Sequence, residues 1–294
     1  MRLPPATYIL LLLCLCSLPV LAQNFLPLNF SQSVQGTNAI YPNLSTLGPN
    51  YYSGQTYDFL NVTSQNGQAV DARVNIIGTS GNYNFVGWIP NYNSASGQPE
   101  ADLGVYYRHD GLFDPPDPEN PDAERFSFGG ITFTISFFEG GGTFLNSTVL
   151  SEVGFMIYDH DGEANQSESI RTYQADGFSG YRIYNGSGIQ ATGDNGTWTF
   201  DAAGYGASET TPEASFIAYY QNSSSIRFDM FSTTSSLNPV GSNGIFAGID
   251  GDLSLTDGQT TGFGAYVAVP EPTSPMLIAS ALSLILLRRR RSKC

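Results

Sequence analysis

Three stretches of this chain place apolar side chains at every second residue. Ile131, Phe133, Ile135 and Phe137 interleave with Thr132, Thr134 and Ser136; Val153, Phe155 and Ile157 with Gly154 and Met156; Ile226, Phe228 and Met230 with Arg227 and Asp229. A period of two puts successive side chains on opposite faces of an extended backbone, so these are half-buried antiparallel strands. Shorter candidates are Tyr57 to Val62, Ala72 to Ile77, Tyr181 to Tyr184, Thr197 to Phe200, Phe216 to Tyr220, Leu253 to Leu255 and Phe263 to Val267. Between them fall Asn66-Gly67, Gly81-Asn82, Asp176-Gly177, Asn185-Gly186, Asn195-Gly196 and Asp257-Gly258, turn dipeptides that tolerate positive φ. The expected fold is all-β, an antiparallel β-sandwich or jelly roll. Composition agrees: charged residues make up 13%, against about 25% in an average domain, and glycine and small polar residues stand in their place. Helical bundles and coiled coils, which need Ala, Leu, Glu and Lys, are excluded. No exact internal repeat stands out, which argues against a solenoid or propeller.

Both ends differ from this pattern. Arg2 is followed by an apolar run from Tyr8 to Cys16 and small residues to Ala22. This is the layout of a secretory signal peptide, residues 1–22, and the run falls short of the roughly 20 residues of a comfortable membrane span. An uncleaved anchor is the alternative. At the other end Val269, Pro270, Glu271 and Pro272 precede an apolar run, Met276 to Leu287, which Arg288, Arg289, Arg290 and Arg291 close. Arginines resist translocation and stay on the cytoplasmic side, so a short transmembrane helix here leaves the rest of the chain outside.

In order and spacing, residues 269–294 resemble the PEP-CTERM sorting signal of Gram-negative bacteria. The resemblance implies recognition by an exosortase, a membrane-embedded cysteine protease that acts near Pro270-Glu271-Pro272. It also implies transient anchoring in the inner membrane and a final place on the cell surface or outside the cell, in envelopes that make exopolysaccharide. The apolar run lacks the glycine that relatives often carry, and Ser292-Lys293-Cys294 extends past the arginines. An ordinary C-terminal tail anchor would give the same topology without processing.

The body between these ends, residues 23–268, carries six arginines, no lysine and 25 acids, a net charge of −19. Such a surface repels phosphate backbones, so no nucleic-acid partner is expected, and divalent cations are better suited. All three cysteines, Cys14, Cys16 and Cys294, lie in the ends, so neither disulfides nor thiolate metal sites hold the body together. Residues 109–124 hold four prolines and six acids without a lysine or arginine. They form either an exposed acidic loop within one domain or a linker after a small domain at 24–108.

The sharpest candidate for chemistry is Asp159-His160-Asp161-Gly162-Glu163 with Glu168, directly after a strand. Several carboxylates at a glycine-containing turn suit Ca²⁺, although the spacing is not that of an EF-hand. Asp250 and Asp252 are further candidate ligands and Asp71 a weaker one. His160, between two acids, reads as a solvated turn residue. Among aromatic residues in polar company, Tyr51-Tyr52, Trp88, Tyr92, Tyr106-Tyr107 and Tyr219-Tyr220 are candidates for stacking on sugars, or else they fill sheet positions. Eight Asn-x-Ser/Thr triplets occur, at Asn29, Asn43, Asn61, Asn146, Asn165, Asn185, Asn195 and Asn222. They read as glycan acceptors in a eukaryote, or as the by-product of Asn-rich turns. No His-Glu-x-x-His, phosphate-binding glycine loop or Gly-x-Ser-x-Gly is present. The expectation is therefore a non-catalytic exported protein of the envelope or extracellular matrix, calcium-stabilised and in contact with extracellular polysaccharide. The alternatives are a carbohydrate-binding module and a jelly-roll polysaccharide hydrolase or lyase.

Overall fold

Two of the alternating runs become β5 (Phe126–Glu139) and β12 (Ser225–Ser235), which pair antiparallel from Ser225 opposite Ser136 to Ser235 opposite Phe126. The structure is a computed structural model. It describes residues 25–30, 33–34, 53–81, 103–108, 118–120, 122–162, 166–203, 212–236, 244–251 and 262–270. The signal segment 1–22, Glu163, Asp252 and everything from Glu271 onward lie outside the described residues, as do both terminal helices expected from the sequence.

On the β5 side the sheet continues through β3 (Gln68–Gly81), β2 (Thr56–Gln65) and β1 (Ser33–Val34). On the β12 side it continues through β7 (Gln166–Tyr173), β10 (Thr197–Ala203) and β9 (Gln190–Asp194), making eight strands in all. The second sheet has six strands. Their order is β14 (Val267–Ala268), β8 (Phe178–Ile183), β11 (Phe216–Ser223), β6 (Leu150–Tyr158), β13 (Gly244–Asp250) and β4 (Leu103–Arg108). Every pairing between these strands is antiparallel. Asn66-Gly67 and Asn195-Gly196 close the β2–β3 and β9–β10 hairpins, both residues of each pair at positive φ as such tight turns require.

The sheets pack face to face as a β-sandwich around one continuous buried cluster drawn from both. Phe155 of β6 meets Phe228 of β12 edge-on at 5.8 Å, and Phe200 of β10 stacks on Phe216 of β11 at 3.9 Å. One polar bridge crosses this interior: the Thr172 and Tyr220 hydroxyls lie 2.7 Å apart, which satisfies both at little cost. β3 pairs with β5 and β4 with β13, so strands from both sides of the acidic segment 109–124 share each sheet.

Around β6 and β11 the six-stranded sheet is buried on its outer face as well. Met156, Tyr158, Ile217, Tyr219 and Phe263 form a second apolar cluster there, backed by Phe25, Tyr184 and Tyr266. That explains the unbroken apolar run of β11, where alternation would otherwise be expected. It also corrects the reading of Tyr219 and Tyr220 as exposed: consecutive strand residues face opposite ways, and here both ways are covered. Val269 enters the main core, and its N–H donates to the Ser179 carbonyl. The Gln174 side-chain amide donates to the Pro270 carbonyl at 2.7 Å. The folded body thus runs through Pro270, two residues into the stretch assigned to the sorting segment.

Candidate functional site

The acidic turn leaves β6 through Asp159, whose φ of +58° is a left-handed conformation that Asp tolerates better than most residues. This kink turns the chain inward rather than outward. His160, expected in solvent, is wholly buried instead. Its N–H donates to the Ala214 carbonyl, and its ring Nε2 lies 3.0 Å from the Phe200 carbonyl. A carbonyl only accepts, so Nε2 carries the proton and the neutral ring turns its Nδ1 lone pair toward Glu168 Oε2, 3.6 Å away. Burial holds the imidazole pKa down to about 4, because a charged ring here would lose its hydration.

Glu168 points into the sandwich from β7, on the same side as Ile170 and Thr172. Asp250 ends β13 on the opposite face from the core residues Ala247 and Ile249, opposite Met156 of the outer cluster. The carboxylates of Glu168 and Asp250, expected to share a cation, are therefore offered from different faces of the fold. Among the described residues no three His, Cys, Asp or Glu side chains come together as metal ligands. Asp71 serves the fold instead. It is buried, and its carboxylate accepts from the N–H groups of Asn61 at 2.8 Å and Gly142 at 2.7 Å. It thereby ties the β2 bulge to the loop after β5.

A feature that the sequence did not reveal lies on the outer face of the eight-stranded sheet. Three of the body's six arginines stand there, each over an aromatic ring: Arg73 over Phe144 at 4.6 Å, Arg227 over Tyr173 at 4.9 Å and Arg171 over Phe231 at 4.5 Å. Arg73 is neutralised by a bidentate pair with Asp58 at 2.6 and 2.8 Å. Arg227 is matched by Asp229, which also accepts from the Tyr173 hydroxyl. Burial and this carboxylate push the Tyr173 hydroxyl up to about 12. Arg171 is different. It stands opposite Asp229 in register, yet Asp229 is already engaged, and among the described residues no carboxylate comes within ion-pair distance of the Arg171 guanidinium. Beside it Phe128 packs against Phe231 with ring centroids 5.7 Å apart, and Phe126 and Phe128 are 54% and 43% exposed. Alternation alone could not have found this group, because only the β5–β12–β7 register brings Phe128, Phe231 and Arg171 together.

Of the eight Asn-x-Ser/Thr asparagines, Asn29, Asn61, Asn146, Asn185, Asn195 and Asn222 are described, and all are exposed. Asn61, Asn195 and Asn222 have positive φ, which accounts for asparagine at these positions without any modification. Tyr51, Tyr52, Trp88 and Tyr92 lie outside the described residues.

No protein-family model matches the chain, and no curated protein matches it. Among solved structures it is similar to the N-terminal domain of the Streptococcus gordonii adhesin Sgo0707, with 14% identity and a TM-score of 0.41 over 68% of this chain and 47% of that one. It is also similar to the adhesin domain of PrgB from Enterococcus faecalis, solved bound to DNA, with 13% identity and a TM-score of 0.35 over 65% of this chain and 66% of that one. The chain thus spans about half of the first and two thirds of the second.

Proposed function

We propose that this is an exported, non-catalytic protein of the cell envelope or extracellular matrix, presented outside the cell as a β-sandwich and sorted by an exosortase through its C-terminal segment. The observation that carries the reading is the order Pro270-Glu271-Pro272, apolar run, Arg288 to Arg291. The fold supports it, because the sandwich closes on Val269 and Pro270 and leaves the sorting elements to follow directly. Calcium belongs to this reading in a narrower form than the sequence suggested, with Asp159 and Asp161 as the oxygen donors at the exit of β6.

The test changes Glu271 and Pro272 to alanine and keeps Pro270, whose carbonyl is part of the fold. The variant is expected to accumulate in the membrane fraction at full length while the parent chain is shortened and released. Identical processing of the two would refute the sorting role.

A further inference from the structure

The outer face of the eight-stranded sheet joins three properties that sheets seldom show together. The first is apolar and aromatic. Phe126 and Phe128 follow one another on the outward row of β5, about 7 Å apart along the strand, and both are substantially exposed. Sheet positions facing water are normally polar, so two such rings in one row leave apolar area in contact with water. The second is a surround of hydroxyls. Thr132 and Thr134 on β5, Thr233 on β12 and Ser169 on β7 face the same way by strand alternation. The third is a held cation. Arg171 stands over the Phe231 ring at 4.5 Å, and the Cβ that Gly130 lacks would stand 2.8 Å from the Phe231 Cβ, so only glycine opposite lets that ring sit as it does.

Nearby carboxylates are engaged elsewhere: Asp229 by Arg227 and Tyr173, and Asp201 by the Ser169 hydroxyl at 2.5 Å. In a body of net charge −19, a guanidinium held on an aromatic face without a carboxylate partner among the described residues is poised for an anion supplied from outside. Apolar ring faces set among hydroxyls complement the C–H face and hydroxyl edge of a sugar better than they complement a protein, whose interface core would be more continuously apolar.

We infer that this strip binds an acidic polysaccharide, with Phe126 and Phe128 stacking on sugar rings and Arg171 pairing with a sugar carboxylate. The inference rests on the exported reading only for where such a polymer is met; the binding itself is a property of this face. Phe231 is a positioning residue whose ring lies under the guanidinium.

The experiment titrates the purified full chain with polygalacturonate oligosaccharides and with the same oligosaccharides after reduction of their carboxyl groups to alcohols. The parent chain is expected to prefer the carboxylated form about tenfold or more, the range of one charge-assisted hydrogen-bonded pair, and the preference should shrink as salt rises. R171Q should remove the preference and leave the weaker binding of the reduced form. F128A should weaken both forms about tenfold with an unchanged melting temperature, since that ring contributes little to the core. No binding of either form, equal affinity for both, or indifference to both substitutions would overturn the inference. So would self-association of the parent that F128A abolishes without any sugar binding, because the occupant would then be a second copy. Export is read separately by fractionation, so correct sorting with no sugar binding defeats this inference alone.

Discussion

His160 is neutral because of where Asp159 sends the chain. Its Nε2–H is committed to the Phe200 carbonyl and its ring stands edge-on to Phe216, and burial disfavours the charged ring even with Glu168 Oε2 3.6 Å from Nδ1. The folded-state pKa, about 4, lies below the ordinary value of 6.5. The unfolded chain therefore binds this proton first as the pH falls. The stability tied to the neutral ring is fully present above pH 6.5 and is lost progressively toward pH 4, a difference on the order of 3 kcal/mol. His160→Gln keeps an N–H for the Phe200 carbonyl but cannot titrate. Urea denaturation at several pH values is expected to show a flatter profile for the variant between pH 6.5 and 4. Parallel profiles for the two proteins would mean that the ring titrates normally and that this account of its burial is wrong.

At the scale of elements, the two layers around the six-stranded sheet depend on glycines at crowded crossings. A Cβ on Gly248 of β13 would fall 1.9 Å from the Tyr158 ring, well inside contact distance, because that ring lies across β13 in the outer cluster. Gly78 on β3 has open space around its missing Cβ and no positive φ. Gly248→Ala should therefore cost about 1–3 kcal/mol by overpacking, whereas Gly78→Ala should be neutral or slightly stabilising. Chemical denaturation measures both, and Tyr158→Leu in the Gly248→Ala background should recover part of the loss. Equal effects at the two glycines would contradict the crossing. The same geometry explains what could be read from sequence. β5, β6 and β12 bury one face with large apolar residues, so their period shows. β13 spends a core-sheet position on glycine to make room for Tyr158, β7 turns Glu168 and Thr172 inward, and β9 is an exposed edge strand, so none carries the expected alternation. The candidate site was less legible still. Asp159-His160-Asp161 has the composition of a surface turn, and only one left-handed residue reverses its meaning. The Arg171 strip depends on cross-strand register, which a single sequence does not reveal.

For the whole molecule, one buried cluster spanning both sheets supplies cohesion without any disulfide, while a net charge of −19 on the body opposes it. Arg73 and Arg227 are spent on Asp58 and Asp229, so most of the remaining carboxylates repel one another across the surface. Monovalent salt screens that repulsion over about 10 Å at 0.1 M and should raise the melting temperature gradually. A calcium site makes a different demand, because binding to the folded state alone adds stability that saturates with calcium concentration. Asp159, at the left-handed residue that aims His160 inward, would then stabilise the cluster it helps to build. Calorimetry should show a larger rise in melting temperature with millimolar calcium than with sodium chloride of equal ionic strength, and EGTA should reverse it. Asp161→Asn should reduce that excess while leaving the sodium response unchanged. Equal shifts for the two salts would assign the whole effect to screening and leave the turn after β6 with a structural role only.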